Sequence, residues 1–94
     1  MQLQNEGRAT KKNLLLLLER QQYKCSLTGI ELTPQDAQAD HIVPLSDGGD
    51  NAISNVQIVS ARVNAAKGTM SQGDFVAMCS AVSMHAMQVA GPPG

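Results

Sequence analysis

The chain of 94 residues has the length of one small domain, and its seven Lys and Arg against eight Asp and Glu give a net charge of −1. This balance argues against a protein that coats nucleic acid nonspecifically, because such proteins are usually clearly basic. Aromatic residues make up 2 % of the sequence, so the core must be built from aliphatic side chains, and two cysteines are too few for a disulfide scaffold.

The cationic residues are unevenly distributed. All of them lie between Arg8 and Lys67, so part of the chain is expected to present a local basic surface. The leucine run at 14–18 is far shorter than the roughly 20 apolar residues of a membrane span. The first residues, MQLQNEG, are polar and make a poor signal peptide. We therefore expect a cytoplasmic protein with no membrane partner.

The first elements expected are a loose polar arm at 1–9 and a helix at 10–24. Thr10 is available as the N-cap of this helix, and the helix contains neither Gly nor Pro. Five consecutive leucines lie all round a helix, which predicts packing on more than one side.

The middle of the chain, 25–68, alternates between strand and turn signals before a short helix. The Gly48-Gly49 pair marks a turn-rich loop, and Gly68 is a helix stop signal. The predicted elements are a strand at 38–45, a second strand at 56–60 and a helix at 61–68.

A second long helix is expected at 71–90, with Ser71 as its N-cap. Its methionines are interpreted as core filler, with a dimer or partner face as the alternative, and Cys79 as a core residue. The whole chain, 1–94, is predicted to be a single α+β domain. Its core would be a two-stranded antiparallel hairpin plus a short helix, flanked by the N-terminal and C-terminal helices.

The predicted hairpin brings chemistry-bearing side chains together. If the strands are antiparallel, Asp40 of the first strand and Asn64 of the short helix share one small space. Carboxylate and amide oxygens are the hard ligands that suit Mg²⁺. His41 follows Asp40 on the strand, so it is expected to point to the opposite face and to need local twist to reach the same substrate. A neutral imidazole accepts a proton from water near pH 7.

These residues resemble the HNH endonuclease motif in its ββα-metal fold. The spacings are similar too, with 55 − 41 = 14 and 64 − 55 = 9. The resemblance covers 25–68, about half of the chain. It rests on Asp40-His41 with the Ile-Val-Pro that follows, the Gly48-Gly49 loop, Asn55, Asn64 and Lys67-Gly68.

The resemblance implies a role for each position. His41 would be the general base that activates the attacking water, and Asp40 and Asn64 would be the ligands of one divalent metal. Asn64 stands where many members have histidine, which favours Mg²⁺ or Mn²⁺ over Zn²⁺. Asn55 would brace the loop and so hold His41 in place. Arg62 and Lys67 lie beside the site, as phosphate contacts or as solvated helix cations.

One departure from the family concerns structural zinc. Many members bind it with two C-x-x-C pairs, and the corresponding positions here are Cys25, Thr28, Ser60 and Val63. Only one thiol remains, so we expect no structural zinc, with the outer helices supplying the packing instead.

The function implied by the resemblance is a metal-dependent endonuclease, bacterial or phage-encoded, that hydrolyses phosphodiester bonds of DNA. It would nick one strand per active site with weak sequence preference, and a targeting protein or a second copy of the chain is a further expected partner. The alternative is a catalytically silent nucleic-acid-binding or assembly module of the same fold. A toxin domain of this fold ranks last, because it usually needs more positive charge and a histidine-rich metal site.

Overall fold

The computed structural model describes residues 7–90 and has three helices and one two-stranded antiparallel sheet. The predicted α+β class, a hairpin core with flanking helices, is therefore confirmed. Residues 1–6 of the predicted arm lie outside the described residues. The elements are α1 (Lys11–Arg20), β1 (Ala37–His41), β2 (Val56–Ser60), α2 (Ala61–Lys67) and α3 (Gln72–Ala90).

Helix α1 begins as predicted but is shorter. The Thr10 hydroxyl accepts a hydrogen bond from the Asn13 amide at 3.2 Å. The helix ends before position 24 because Gln22 and Tyr23 have positive φ angles of 58° and 59°, which no α-helical residue adopts. None of its residues is fully buried, and Leu15 is 56 % exposed. The other four leucines are half-buried, so the leucine run is only partly covered, and packing on more than one side stays a prediction.

The hairpin provides the core. Strand β2 is buried over Val56–Val59, and its register places Gln57 opposite Asp40. The edge of β2 that does not pair with β1 is covered by the Gln21 side chain, which donates to the Ile58 carbonyl and accepts from the Ile58 amide, both at 2.9 Å. These two bonds protect an edge that would otherwise be open to pairing with another strand.

Strand β1 ends at His41, earlier than the predicted 45. The next backbone bond still runs to the partner segment, from the Ile42 amide to the Asn55 carbonyl at 2.8 Å. The Val43 amide then donates to the Asn55 side chain instead of to backbone. The ladder therefore stops because a side chain replaces the opposing strand, and the chain turns at Pro44.

Helix α2 is short and capped at both ends, which fixes the direction of its side chains. The Ser60 hydroxyl accepts from the Val63 amide at 3.1 Å, and the Asp36 carboxylate accepts from the Ala61 amide at 3.0 Å. Gly68, with a φ of 54°, ends the helix. Asn64 and Lys67, three positions apart, share the helix face that contacts β1.

Helix α3 differs most from expectation. Ser71 caps it as predicted, accepting from the Asp74 amide at 3.1 Å. Phe75 is its only buried residue, and Met84 is 60 % exposed. The interpretation of its methionines as core filler is wrong, as is that of Cys79, because α3 leaves the body of the domain after its first turn. Among residues 7–90, no helix is both long and apolar enough to cross a membrane.

Gly49 lies in the loop between the strands, where a side chain has no room. A Cβ placed on it would collide with the Val43 carbonyl and would lie 2.9 Å from Nδ2 of Asn55. We expect Gly49→Ala to lower the free energy of unfolding by about 1–3 kcal/mol, because the loop must shift to accept the methyl group. Urea denaturation monitored by circular dichroism measures this change.

Gly73 offers the matched control, because it lies in α3 with nothing within 4 Å of its Cβ position. Gly73→Ala should be neutral or should stabilise by up to about 1 kcal/mol, since alanine favours the helix. Equal urea midpoints for Gly49→Ala and the wild type would show that the loop does not need the close approach of Gly49 to the Val43 carbonyl.

Candidate active site

A cavity of about 360 Å³ lies between the end of β1 and the C-terminal end of α2. Asp40 and His41 reach it from β1 and Asn64 reaches it from α2, while Ser46 and Thr69 line it from the adjoining loops. The structure thus brings the adjacent residues Asp40 and His41 together with Asn64, which lies 24 positions after Asp40 (64 − 40 = 24). This space is open to the surface and is lined by an acid, an imidazole and an amide, which makes it the candidate active site.

Asp40 is held at the bottom of this cavity by two side chains. Its carboxylate is 5 % exposed, and Lys67 Nζ lies 3.1 Å from Oδ1 and 3.0 Å from Oδ2. Gln57, directly across the hairpin, donates from Nε2 to Oδ2 at 2.9 Å. Gln57 is itself fixed because its Oε1 accepts from the Ser26 hydroxyl at 2.6 Å. The orientation of the carboxylate is therefore set by strand register and by α2 together.

Lys67 is among the most deeply buried side chains of the described residues, at 1 % exposed. Besides Asp40, its ammonium donates to the His41 backbone carbonyl at 2.9 Å. A buried ammonium is tolerated because these two partners satisfy it and compensate its charge. In this arrangement Lys67 ties α2 to the end of β1 and presents no open surface to a phosphate.

His41 is half-buried and lines the same cavity as Asp40, even though neighbours on a strand alternate in direction. The position of His41 at the last residue of β1, where the chain leaves the sheet, accounts for this. Its Nε2 lies 2.7 Å from Oδ1 of Asn51, a residue of the following loop. The imidazole is therefore anchored at one nitrogen.

Asn55 fixes the loop that begins directly after His41. Its Oδ1 accepts from the Val43 amide at 2.9 Å, and its Nδ2 donates to the carbonyls of Val43 at 3.0 Å and Asp50 at 2.9 Å. One side chain thus satisfies three backbone groups at both ends of the loop. These bonds hold the backbone on either side of the cavity and leave Asn55 outside its lining.

Asn64 donates from Nδ2 to Oε1 of Gln38 at 2.7 Å, which uses its nitrogen and leaves its oxygen available. That oxygen and the Asp40 carboxylate are hard donors, and both residues line the same open cavity, so the donor set fits a hard divalent cation. Within residues 7–90, no group of three or more His, Cys, Asp or Glu side chains is arranged to hold a metal. An ion at this cavity would therefore depend on the Asn64 amide and on water.

The four positions compared above with the zinc cysteines of the family, Cys25, Thr28, Ser60 and Val63, do not line this cavity. Thr28, Ser60 and Val63 line a second cavity of about 300 Å³, together with exposed Arg62. Burial raises the pKa of the Cys25 thiol, but hydrogen bonds with the Thr28 side chain and with the Ser60, Thr28 and Leu27 backbone together lower this pKa by more, to below its ordinary value. Because Arg62 lines this second cavity, it does not lie beside Asp40 and His41, where the sequence placed it.

Two side chains at the site were not singled out by the sequence. Gln57 is a polar residue inside a buried strand, and the hairpin register alone places it opposite Asp40. A fixed register would have identified it, because a buried amide needs a partner. Asn51 lies in a turn-rich loop, where asparagine is common for conformational reasons alone. Nothing in the sequence therefore points to its contact with His41.

The buried pair of Lys67 and Asp40 yields a stability prediction. Lys67→Met keeps the length of the side chain but leaves the Asp40 carboxylate buried without its counter-ion. We expect the free energy of unfolding to fall by about 3 kcal/mol or more, since an uncompensated buried charge is strongly destabilising. Urea denaturation in metal-free buffer measures this loss.

The control removes both charges. Asp40→Asn combined with Lys67→Met should regain a large part of the stability lost in Lys67→Met alone, because no charge is then left unpaired. If the free energy of unfolding lost in the double variant equals the sum of the losses in Lys67→Met and Asp40→Asn, the two residues do not act as a pair.

Comparison with known proteins agrees with this geometry. The family model described as HNH endonuclease matches residues 25–71, half of the chain. The match contains the whole hairpin, α2 and every residue of the cavity. No curated protein matches the chain. With half of its length matched by the family model and with the hairpin-plus-helix core in place, this chain belongs to the HNH endonuclease family.

Proposed function

We propose that this protein is a metal-dependent endonuclease that hydrolyses phosphodiester bonds of DNA and cuts one strand per active site. The observation that carries the proposal is the shared cavity of Asp40, His41 and Asn64, a base and two oxygen donors brought together from two elements. Membership of the HNH endonuclease family indicates nuclease activity in general. The substrate, the metal and the roles of the residues are the proposed part.

His41 is the proposed general base. It borders the cavity, it is anchored through Nε2, and its second ring nitrogen is left to accept a proton from a water molecule. Asn55 supports this role indirectly, since its three hydrogen bonds fix the loop that starts at His41. In this proposal Asn55 acts by positioning, and His41 by proton transfer.

Asp40 and Asn64 are the proposed ligands of a hard divalent cation, Mg²⁺ or Mn²⁺. Such an ion, when bound, would neutralise negative charge on the phosphate and on the leaving oxygen. Lys67 and Gln57 support Asp40 by holding both carboxylate oxygens in a fixed orientation. No structural zinc is proposed, because Thr28, Ser60 and Val63 supply no thiolate beside Cys25.

DNA is the proposed substrate, with weak sequence preference. Exposed cations suited to phosphate contact lie at Lys11, Lys12 and Arg62, away from the lining of the cavity. The near-neutral net charge limits nonspecific affinity, so a targeting protein or a second copy of the chain is a proposed partner. Two sites acting on opposite strands would be required for a double-strand break.

A second candidate function has one specific observation in its favour. Both oxygens of Asp40 already have partners in Lys67 and Gln57, so the carboxylate is satisfied without a metal. A silent nucleic-acid-binding module would retain such a pair for stability alone. The candidate is weaker because a purely structural role for the pair does not account for His41 and Asn64 at the same cavity.

Nicking of supercoiled plasmid separates the two candidates. The wild type should convert plasmid to the open circular form with Mg²⁺ or Mn²⁺ and should stop when the metal is chelated. His41→Ala should slow the rate by about 100- to 10,000-fold, the usual contribution of a general base, with an unchanged melting curve. Asn64→Ala should raise the metal concentration needed for half-maximal rate.

His85→Ala is the matched control, because His85 is an exposed histidine on α3, far along the chain from the cavity. It should nick at the wild-type rate. If His41→Ala nicks at the same rate as His85→Ala, His41 is not the general base. If the wild type is inactive with every divalent ion tested, the silent module is favoured.

A further inference from the structure

The contact between Asn51 and His41 determines which ring nitrogen carries the proton. Oδ1 of Asn51 lies 2.7 Å from Nε2 of His41. An amide oxygen only accepts hydrogen bonds, so Nε2 must be the donor in this contact. A neutral imidazole holds one ring proton, which leaves the lone pair of Nδ1 free. The side chain of Asn51 thus selects one tautomer of His41.

Asn51 is exposed, yet its backbone is fixed on both sides. Its carbonyl accepts from the Ala9 amide at 2.8 Å, in the segment that precedes α1. The preceding residue, Asp50, has its carbonyl bound by Asn55 and its carboxylate bound by the Ala52 amide at 3.1 Å. The side chain of Asn51 is not part of the buried core, so its contact with His41 is made from a rigid platform and does not serve packing.

Two asparagines therefore divide the support of one histidine. Asn55 bonds only to backbone and fixes the course of the loop. Asn51 bonds to the ring itself and fixes its rotation. A loop held by Asn55 without the contact from Asn51 would still allow the imidazole to rotate about χ2 and to exchange its two tautomers.

We propose that Asn51 is a positioning residue for His41, which holds the imidazole in the Nε2–H tautomer and leaves Nδ1 as the nitrogen that takes the proton from water. This inference rests on the proposed function. In the step it serves, the water oxygen forms a bond to phosphorus while its proton passes to Nδ1. The leaving oxygen departs with the electron pair of the broken P–O bond. A fixed ring keeps Nδ1 in reach of that proton.

The first test reads the tautomer without activity. Long-range ¹H–¹⁵N correlation spectra of the metal-free protein, at a pH where both imidazoles are neutral, distinguish a protonated from an unprotonated ring nitrogen. The chain has two histidines, so His85→Ala assigns the signals. We expect a protonated Nε2 and an unprotonated Nδ1 in His41. The opposite tautomer, with the proton on Nδ1, would overturn the inference.

Two substitutions of similar size then separate hydrogen bonding from structure. Asn51→Asp keeps an oxygen acceptor at the position, whereas Asn51→Leu removes it. Both should melt like the wild type, because the side chain is exposed. Asn51→Leu should mix the two tautomers of His41 and lower kcat for nicking about tenfold, the effect of one lost hydrogen bond, with KM unchanged. Asn51→Asp should retain the Nε2–H tautomer and most of kcat.

The outcomes distinguish this inference from the function on which it rests. A single Nε2–H tautomer that is lost in Asn51→Leu, in a protein that never nicks DNA, would support the contact and overturn the proposed function. An active wild type whose tautomer and kcat are unchanged in Asn51→Leu would overturn the positioning role and leave the proposed function standing. A lower melting temperature of Asn51→Leu that accompanies the lower kcat, with the Nε2–H tautomer of His41 unchanged, would assign Asn51 a structural role and overturn the inference.

Discussion

The buried ion pair between Lys67 and Asp40 is the interaction on which the site depends. Helix α2 has seven residues and could not persist in isolation, so its position comes from what it contacts. Lys67 reaches from its last turn to the Asp40 carboxylate and the His41 carbonyl, at the end of β1. The same turn carries Asn64 into the cavity. Fixing α2 against β1 therefore brings the donors of the site together.

This arrangement has a direct consequence for chemistry. A carboxylate that is buried and fully paired is rigid, and a rigid ligand is well suited to hold a cation in one place. The same partners also compete with a cation for the carboxylate, because Lys67 contributes a positive charge beside it. In the proposed metal site, this competition would lower the affinity for a cation while the carboxylate keeps a fixed geometry. A metal bound here would depend on Asn64, on water and on phosphate oxygens to complete its surroundings.

Local sequence signals predicted the parts of the fold that local chemistry decides. Thr10 and Ser71 cap the two long helices as their positions indicated, and β2 occupies 56–60 as predicted. The ends of elements were less predictable where tertiary contacts intervene. Helix α1 stops early at two residues of positive φ, and β1 stops where the Asn55 side chain replaces the opposing strand.

The site was predictable in outline and not in its supporting contacts. The motif positions Asp40, His41 and Asn64 share a cavity, which the predicted strand pairing required. Lys67 is buried because α2 packs it against Asp40. This contact between residues far apart along the chain has no signal in the sequence. The exposure of α3 was also missed, because an apolar composition predicts burial but does not say which surface is available to provide it.

Paramagnetic broadening by Mn²⁺ tests most directly whether Asp40, His41 and Asn64 surround one cation. In ¹H–¹⁵N spectra of the protein, substoichiometric Mn²⁺ should broaden the amide signals of these three residues first, and the effect should weaken in Asp40→Asn and in Asn64→Ala. Broadening centred instead on distant acids such as Glu19 or Asp74, and unchanged by both substitutions, would contradict a metal site at this cavity.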